Sequence, residues 1–254
     1  MGMDHPNIVK FYQCVYDNDY LNIVMELVRG KPLSDYLEEK GRIPEPECQI
    51  IIRQIMHAIL YFHSKGIVHR DLKLDNVMID GLGTGDLNDI RVKLIDFGMS
   101  KYTNYGGKKI NLTTYCGTLD FMAPEVLDAL DYDLSCDIWS IGVLAYFVLC
   151  GRPPFMGKDD LDLVDKIAKG SYGFDAELWS GLSKDSQKWI QRLLQIKPSK
   201  RMRPSAALDH AWLAGEDSAK VKYPVHPHVM MNLHGGSGAH ELHYEMLLLF
   251  SQFL

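Results

Sequence analysis

The most constraining feature of the chain is a polar segment between two apolar runs, IVHRDLKLDNVMID at residues 67–80. Ile67-Val68 and Val77-Met78-Ile79 predict short buried strands, because they are apolar, rich in β-branched residues and bounded by polar ones. Two buried strands would fix both ends of the polar loop between them. We therefore expect this loop to aim its charged side chains in set directions, which an ordinary solvated surface loop would not do.

The polar loop is the first of three motifs that occur in order. It reads H-R-D-x-x-x-x-N, and the motifs LIDFG and MAPE follow further along the chain. This series resembles the eukaryotic protein kinase family, and the resemblance extends from about His5 to about Trp212. Lys73, two residues after Asp71, is typical of the family's serine/threonine kinases. The resemblance implies an α+β kinase fold and transfer of the ATP γ-phosphate to Ser/Thr hydroxyls of protein substrates.

The same resemblance assigns roles to four residues of the first two motifs. Asp71 would accept or orient the proton of the substrate hydroxyl, and Lys73 would neutralise the γ-phosphate. Asn76 and Asp96 would hold Mg²⁺, which prefers hard oxygen ligands such as carboxylate and amide oxygens. ATP and Mg²⁺ are therefore the expected cofactors.

An adenine site is implied at the segment that follows the first hairpin. By resemblance, Met25 would be the gatekeeper, Glu26 and Val28 would offer backbone groups to adenine, and Met78 would lie beneath the base. The alternative is that all four are ordinary core or hinge residues, since Met is also a common filler of irregular gaps in cores.

Two further residues are implied to be regulatory. Arg70 would await a phosphate on the activation segment, residues 96–125. Thr114 has the position of the usual phosphorylated residue in that segment, and an Arg and a phosphothreonine can together order a loop. The alternative is that Thr114 is a surface residue that is never modified. Thr118 is implied to bond Asp71 and Lys73, whereas His69 is expected to be a packed structural residue.

Three residues are implied to be structural. Asp137, in SCDIWSIG, would cap the catalytic-loop backbone from a buried helix, and Arg201 would form an interior ion pair with Glu125. Removing one partner of such a pair strands a buried charge, at a typical cost of ~3 to 5 kcal/mol.

Periodicity and breakers divide the chain coarsely into elements. They predict a hairpin that turns at Asp17–Asp19, helices near Leu33–Glu39 and Glu47–Ser64, and mainly helices after Ser135. The run GLGTG predicts a turn joining two strands. The predicted regions are a small-lobe remnant (1–27), a large lobe (28–213) and a junction or regulatory-like segment (214–254).

Some parts of the family pattern do not occur in this sequence. We find no glycine-rich phosphate loop before the hinge and no lysine in a V-A-I-K context. We therefore expect an N-terminally truncated kinase that is poorly active alone. The alternative from a different class is a non-catalytic, pseudokinase-like binding module.

The C-terminal segment NLHGGSGAHELHYEMLLLFSQFL resembles the junction segment of calcium-dependent protein kinases, with Leu242, Leu247 and Leu254 at apolar positions. This resemblance implies regulation by a calcium sensor. The alternative is an amphipathic helix at Glu241–Leu254 that simply packs on the large lobe. Five histidines from His226 to His243 have irregular spacing, which does not favour a zinc site.

Composition limits the remaining possibilities. The net charge of -6 provides no basic footprint for nucleic acid and no polybasic membrane patch, so neither partner is expected. The five cysteines are scattered and contain no C-x-x-C pair, which suits a reducing compartment. We expect a cytoplasmic or nuclear location.

Overall fold

The structure of the chain is a computed structural model that describes residues 4–17, 20–105, 108–129 and 131–214. Its first elements are strands β1 (Phe11–Asp17) and β2 (Tyr20–Met25), which pair antiparallel as the predicted hairpin. The segment before β1 joins this hairpin to the body of the molecule, since the Val9 amide donates to the Leu94 carbonyl at 2.9 Å.

The remaining strands are short and lie in small antiparallel sheets. They are β3 (Lys31–Pro32), β4 (Ile67–Val68), β5 (Val77–Asp80), β6 (Arg91–Leu94), β7 (Lys101–Tyr102), β8 (Asn104–Tyr105) and β9 (Lys108–Lys109). The order in the largest of these sheets is β3-β5-β6, while β4 pairs with β7 and β8 with β9. The two apolar runs that flank the polar loop are thus strands β4 and β5, as predicted, and both are largely buried.

The GLGTG run lies in the turn between β5 and β6, also as predicted. The backbone conformation of Gly81 in this turn has a positive φ of 75°, and a Cβ there would lie 2.2 Å from the Asp89 carbonyl oxygen. Only glycine fits such a close approach.

Helices dominate the rest of the described chain. They are α1 (Leu33–Lys40), α2 (Glu45–Ser64), α3 (Pro124–Leu127), α4 (Ser135–Cys150), α5 (Asp160–Lys169), α6 (Lys184–Leu193), α7 (Pro204–Leu208) and α8 (Ala211–Ala214). Helix α2 begins two residues earlier than predicted, because Pro44 and Pro46 have fixed φ values that suit a helix start.

The core forms where helices α2 and α4 meet. The predicted apolar face of α2 is fully buried, and α4 is buried on nearly all sides. Gly142 of α4 permits close packing with the end of α6, since a Cβ there would lie 2.9 Å from Leu194 Cδ2. Within the described ranges, no helix has both the length and the apolar character needed to cross a membrane. The predictions for Glu241–Leu254 and for the histidines from His226 to His243 lie outside these ranges.

Candidate active site

The backbone of the polar loop is held by a carboxylate from the buried helix α4. Asp137 Oδ2 accepts from the His69 amide at 3.0 Å, and Asp137 Oδ1 accepts from the Arg70 amide at 2.9 Å. The ring nitrogen Nε2 of His63 lies 2.9 Å from Asp137 Oδ2. The two bonds to the loop backbone are those predicted for Asp137, whereas the contact with His63 was not predicted. Together the three contacts attach the loop to both α2 and α4.

Electrostatics keep Asp137 charged although it is fully buried. Burial is the largest influence and raises the pKa of this carboxyl, but the hydrogen bond and charge of His63 and the hydrogen bond from the His69 backbone together outweigh it, so the pKa is lowered. For His69, burial is the largest influence and lowers the pKa of the ring. A neutral, buried His69 suits the structural role that was expected of it.

Two residues of the site have a backbone conformation that is uncommon for side chains other than glycine. The φ angle is 72° at Arg70 and 61° at Asp96. Such conformations cost on the order of 1 to 3 kcal/mol each and persist where surrounding contacts fix them. At Arg70 the backbone is held by the hydrogen bond from its amide to the Asp137 carboxylate. At Asp96 the carboxylate accepts from the Gly98 amide at 3.0 Å.

Asp71 lies at the centre of the site, with contacts to both of its carboxylate oxygens. Oδ1 accepts from the backbone amide and the hydroxyl of Thr118, at 3.0 and 3.1 Å. Oδ2 lies 3.3 Å from Lys73 Nζ and accepts from Asn76 Nδ2 at 3.2 Å. The orientation of the carboxylate is therefore fixed at both oxygens. The bonds from Thr118 confirm the predicted contact with Asp71, while the predicted contact of Thr118 with Lys73 stays a prediction.

The strand pair β5–β6 brings the two expected magnesium ligands to one place. Asn76 immediately precedes β5, Asp96 follows β6, and the Ile95 amide donates to the Asn76 carbonyl at 3.0 Å. The Asn76 side-chain nitrogen is occupied by Asp71, which leaves its amide oxygen for a cation. Asp96 is exposed and offers its second carboxylate oxygen. This donor set fits Mg²⁺, which binds one or two carboxylates and otherwise uses phosphates and water.

An aromatic cluster supports the segment that carries Asp96. The ring of Phe97 lies 5.3 Å from that of Phe62 and 5.4 Å from that of His69, centroid to centroid. Phe97 thereby connects the LIDFG motif to helix α2 and to the polar loop. Packing of this kind holds the backbone of Asp96 in register with Asn76.

The expected adenine-binding segment follows β2. The amide of Glu26 donates to the Lys10 carbonyl at 2.7 Å, so the carbonyl of Glu26 is its backbone group that could face a base. Lys93 Nζ lies 2.8 Å from a carboxylate oxygen of Glu26. Met25 is 48% exposed, and Val28 and Met78 are partly buried. The roles of these residues towards adenine remain predictions.

The expected interior ion pair is present. Arg201 donates to both carboxylate oxygens of Glu125, at 2.5 and 2.6 Å, and the two side chains are only 1% and 8% exposed. Arg201 also donates to the carbonyls of Ser135 and Gln195 and lies over the Trp139 ring. The end of the activation segment is therefore anchored to the large lobe.

The activation segment approaches the polar loop at a glycine. Gly117 has a φ of 106°, and a Cβ there would lie 2.7 Å from the Arg70 carbonyl oxygen. This close approach places Thr118 against Asp71. Nearby, the side chain of Thr114 is exposed, as a residue open to modification would be.

Three residues near the site were not singled out from the sequence. Gly117 could have been recognised as the residue before Thr118. Lys93 and Tyr132 had no local signal, because each meets the site across a separation of more than sixty residues. Tyr132 contacts Arg70 through its hydroxyl.

Comparison with known proteins agrees with this geometry. The family model described as protein kinase domain matches residues 1–213. Myosin light chain kinase A of Dictyostelium discoideum is 38% identical over 216 residues, covering 85% of this chain and 71% of the relative. Calcium/calmodulin-dependent protein kinase type 1 of Macrobrachium nipponense is 37% identical, covering 84% and 59%. Serine/threonine-protein kinase 33 of Bos taurus is 37% identical, covering 87% and 46%.

The chain therefore belongs to the protein kinase family. Among the kinases, it is related to serine/threonine kinases that include a calcium/calmodulin-dependent one, as the sequence predicted. The chain spans between about half and seven tenths of the length of these three relatives.

Proposed function

We propose that the chain transfers the γ-phosphate of ATP to serine or threonine hydroxyls of protein substrates, with Mg²⁺ as the metal. The observation that carries this proposal is the environment of Asp71. One carboxylate oxygen is fixed by Thr118, and the other faces Lys73 and Asn76. A carboxylate held in this way can orient a hydroxyl and take up its proton.

The other residues of the site supply position and charge. Lys73, whose amine lies beside Asp71, provides a positive charge where phosphoryl oxygens would gather. Asn76 and Asp96 provide oxygen ligands for Mg²⁺ at one end of the β5–β6 pair. When bound, ATP would supply the phosphoryl group, and Mg²⁺ would offset the negative charge on the phosphate oxygens. Phosphoryl transfer requires mainly such positioning and charge stabilisation from a protein.

The decisive experiment uses this chain extended upstream by a glycine-rich loop and a strand lysine, because the chain alone is expected to be poorly active. In that extended protein Asp71 is replaced with Asn, which is nearly isosteric but cannot accept a proton at neutral pH. We expect kcat for a serine peptide to fall by ~10²- to 10⁴-fold, as is typical when general base catalysis is lost. Phosphate incorporation from labelled ATP, followed by phosphoamino acid analysis, measures the rate and the residue type. Asp89→Asn is the matched control, because Asp89 is exposed on the β5–β6 turn. Retention of the wild-type rate by Asp71→Asn would contradict the proposal.

We also propose regulation by a calcium sensor through the segment 214–254. Its support is the sequence resemblance of that segment and the relative named as a calcium/calmodulin-dependent kinase. The test measures peptide phosphorylation with and without Ca²⁺ and calmodulin, with the chelator EGTA as the control. No change in activity and no calcium-dependent binding of calmodulin would contradict this regulation.

The non-catalytic alternative finds no support in the site. A binding module that had lost turnover would be expected to lack one of the catalytic or metal-binding side chains. Here Asp71, Lys73, Asn76 and Asp96 are all present, and the described contacts orient the first three.

A further inference from the structure

The phenol of Tyr132 connects the polar loop to the activation segment. Tyr132 lies between α3 and α4 and is only 4% exposed. Its hydroxyl accepts from Arg70 Nη1 at 3.2 Å and donates to the Thr114 carbonyl at 3.0 Å. Its backbone amide also donates to the Leu112 carbonyl at 3.1 Å. The hydroxyl also lies 3.8 Å from Cys116 Sγ. One residue therefore touches the activation segment at three points and the polar loop at a fourth.

The contacts of Arg70 show that its cation already has partners without a phosphate. Besides Tyr132, its Nε donates to the carbonyl of Met99, just after the LIDFG motif. Both partners are neutral oxygens. Hydrogen bonds from a charged donor to such oxygens are stronger than neutral ones but weaker than a pairing with an anion. Arg70 would exchange a neutral partner for a phosphate when one becomes available.

The hydroxyl of Tyr132 is suited to this bridge because it keeps its proton. Burial is the largest influence on the group and raises its pKa, which outweighs the opposing effect of Arg70. The O–H therefore remains a donor to Thr114 throughout the physiological pH range. The acceptor role towards Arg70 and the donor role towards Thr114 are thus available at the same time.

We propose that Tyr132 is a positioning residue that holds the activation segment over the polar loop when Thr114 carries no phosphate. The segment reaches Asp71 through Thr118, so its position affects the orientation of the catalytic carboxylate. The bridge through Tyr132 gives the unmodified kinase a preformed site. Phosphorylation of Thr114 takes over the interaction with Arg70 and makes the bridge dispensable. This inference rests on the proposed kinase function and on Thr114 as the modified residue.

The test compares Tyr132→Phe with the wild-type protein, both in the chain extended upstream by a glycine-rich loop and a strand lysine. Each is prepared both unmodified and with phosphothreonine incorporated at position 114. Phe keeps the ring packing and removes only the hydroxyl. In the unmodified protein we expect kcat/KM for a serine peptide to fall about 10-fold, which corresponds to the loss of one or two moderate hydrogen bonds. In the phosphorylated protein we expect the kcat/KM values of Tyr132→Phe and the wild type to agree within about 2-fold, because the phosphate replaces the bridge.

Tyr146→Phe is the matched control. Tyr146 is 5% exposed, and its hydroxyl donates to the Gly173 carbonyl at 2.7 Å, away from the residues of the bridge. We expect the effect of this substitution to be independent of phosphorylation. An equal loss in both phosphorylation states of Tyr132→Phe would show a merely structural role and overturn the proposal, as would no loss in the unmodified protein.

Hydrogen exchange provides a readout that does not depend on kinase activity. In unmodified Tyr132→Phe we expect faster exchange of the amides at Leu112–Thr118, while helix α6 exchanges as in the wild type and serves as the internal reference. Unchanged exchange in this segment would also overturn the proposal. If the extended wild-type protein proved inactive, the proposed function would fail, and the exchange data would still decide whether Tyr132 holds the segment.

Discussion

At the residue scale, the site is built from side chains that constrain one another. Asp71 is fixed by Thr118, Lys73 and Asn76, while Asp137 fixes the backbone just before Asp71. Such mutual support allows a carboxylate to point in one direction without a substrate. A catalytic group that is already oriented avoids the free-energy cost of ordering it during the reaction.

The Glu125–Arg201 pair allows a test of this support at single residues. Arg201→Met leaves the Glu125 carboxylate buried without its cation, so we expect the free energy of unfolding to fall by ~3 to 5 kcal/mol. Urea denaturation measures this change. Lys169→Met is the control, because Lys169 pairs with Asp165 on the exposed surface of α5, where an ion pair contributes only about 0 to 1 kcal/mol. Similar losses of unfolding free energy in Arg201→Met and Lys169→Met would contradict the role of Glu125–Arg201 as a stabilising buried ion pair.

Residues within the motifs could be predicted from the sequence, but residues that complete the site could not. Asp71 and Asp96 occur in short patterns whose spacing carries the information. The contact of Tyr132 with Arg70 depends on how segments sixty-two positions apart pack together. The positive φ of Arg70 also has no local signal in the sequence. The hydrogen bond that accompanies it joins the Arg70 amide to Asp137, which is 67 positions further along the chain. Tertiary contacts of this kind are not encoded in local propensity.

At the element scale, short strands determine where the functional side chains lie. The β5–β6 pair sets Asn76 beside the segment of Asp96, and β4 leads directly into the polar loop. These strands were predictable because they are apolar and bounded by breakers. The first residue of α2 was harder to predict, since the pattern of apolar residues begins only after the first helical turn.

Strand β6 also connects the large lobe to the segment expected to bind adenine. Lys93 of β6 pairs with Glu26 at 2.8 Å, and both side chains are about one quarter exposed. This contact fixes the position of Glu26, whose carbonyl is the group that could face a base. The ion pair favours the charged carboxylate. The pKa of Glu26 is accordingly lowered, because Lys93 and Lys10 outweigh the effect of burial.

Replacing Lys93 with Met should therefore loosen the adenine-binding segment. We expect the KM for ATP to rise about 1.4- to 5-fold, corresponding to the ~0.2 to 1 kcal/mol typical of an exposed ion pair, while kcat changes less. Initial rates at varied ATP concentration measure both constants. In contrast, Lys188→Met removes a cation from the exposed face of helix α6 and should leave the KM unchanged. A KM for ATP unaffected by Lys93→Met would refute the expected role.

At the scale of the whole molecule, the core and the site are joined through one buried charge. Helix α4 supplies much of the core and also carries Asp137 in its first turn. This carboxylate meets His63 of α2 and the backbone of the polar loop. Global stability and the geometry of the site therefore depend on the same ionised group.

This dependence predicts how stability changes with pH. The pKa of Asp137 is lower in the folded protein than its ordinary value of 3.8. A lowered pKa means that the unfolded chain binds the proton more tightly, so the contribution of Asp137 is fully present above about pH 4 and is lost as the pH falls through the folded pKa.

Asp137→Asn tests this linkage because Asn resembles the protonated acid. At pH 7 we expect the variant to be less stable by ~1.5 to 3 kcal/mol, the range for hydrogen bonds to a charged group. The difference from the wild type should shrink as the pH falls below about 4, because protonation removes the same charge from Asp137. Urea denaturation at pH 7, 5, 4 and 3 measures it. Asp165→Asn, on exposed α5, should differ little from the wild type at any pH. A difference between Asp137→Asn and wild type that stays constant from pH 7 to 3 would show that the charge of Asp137 does not stabilise the fold.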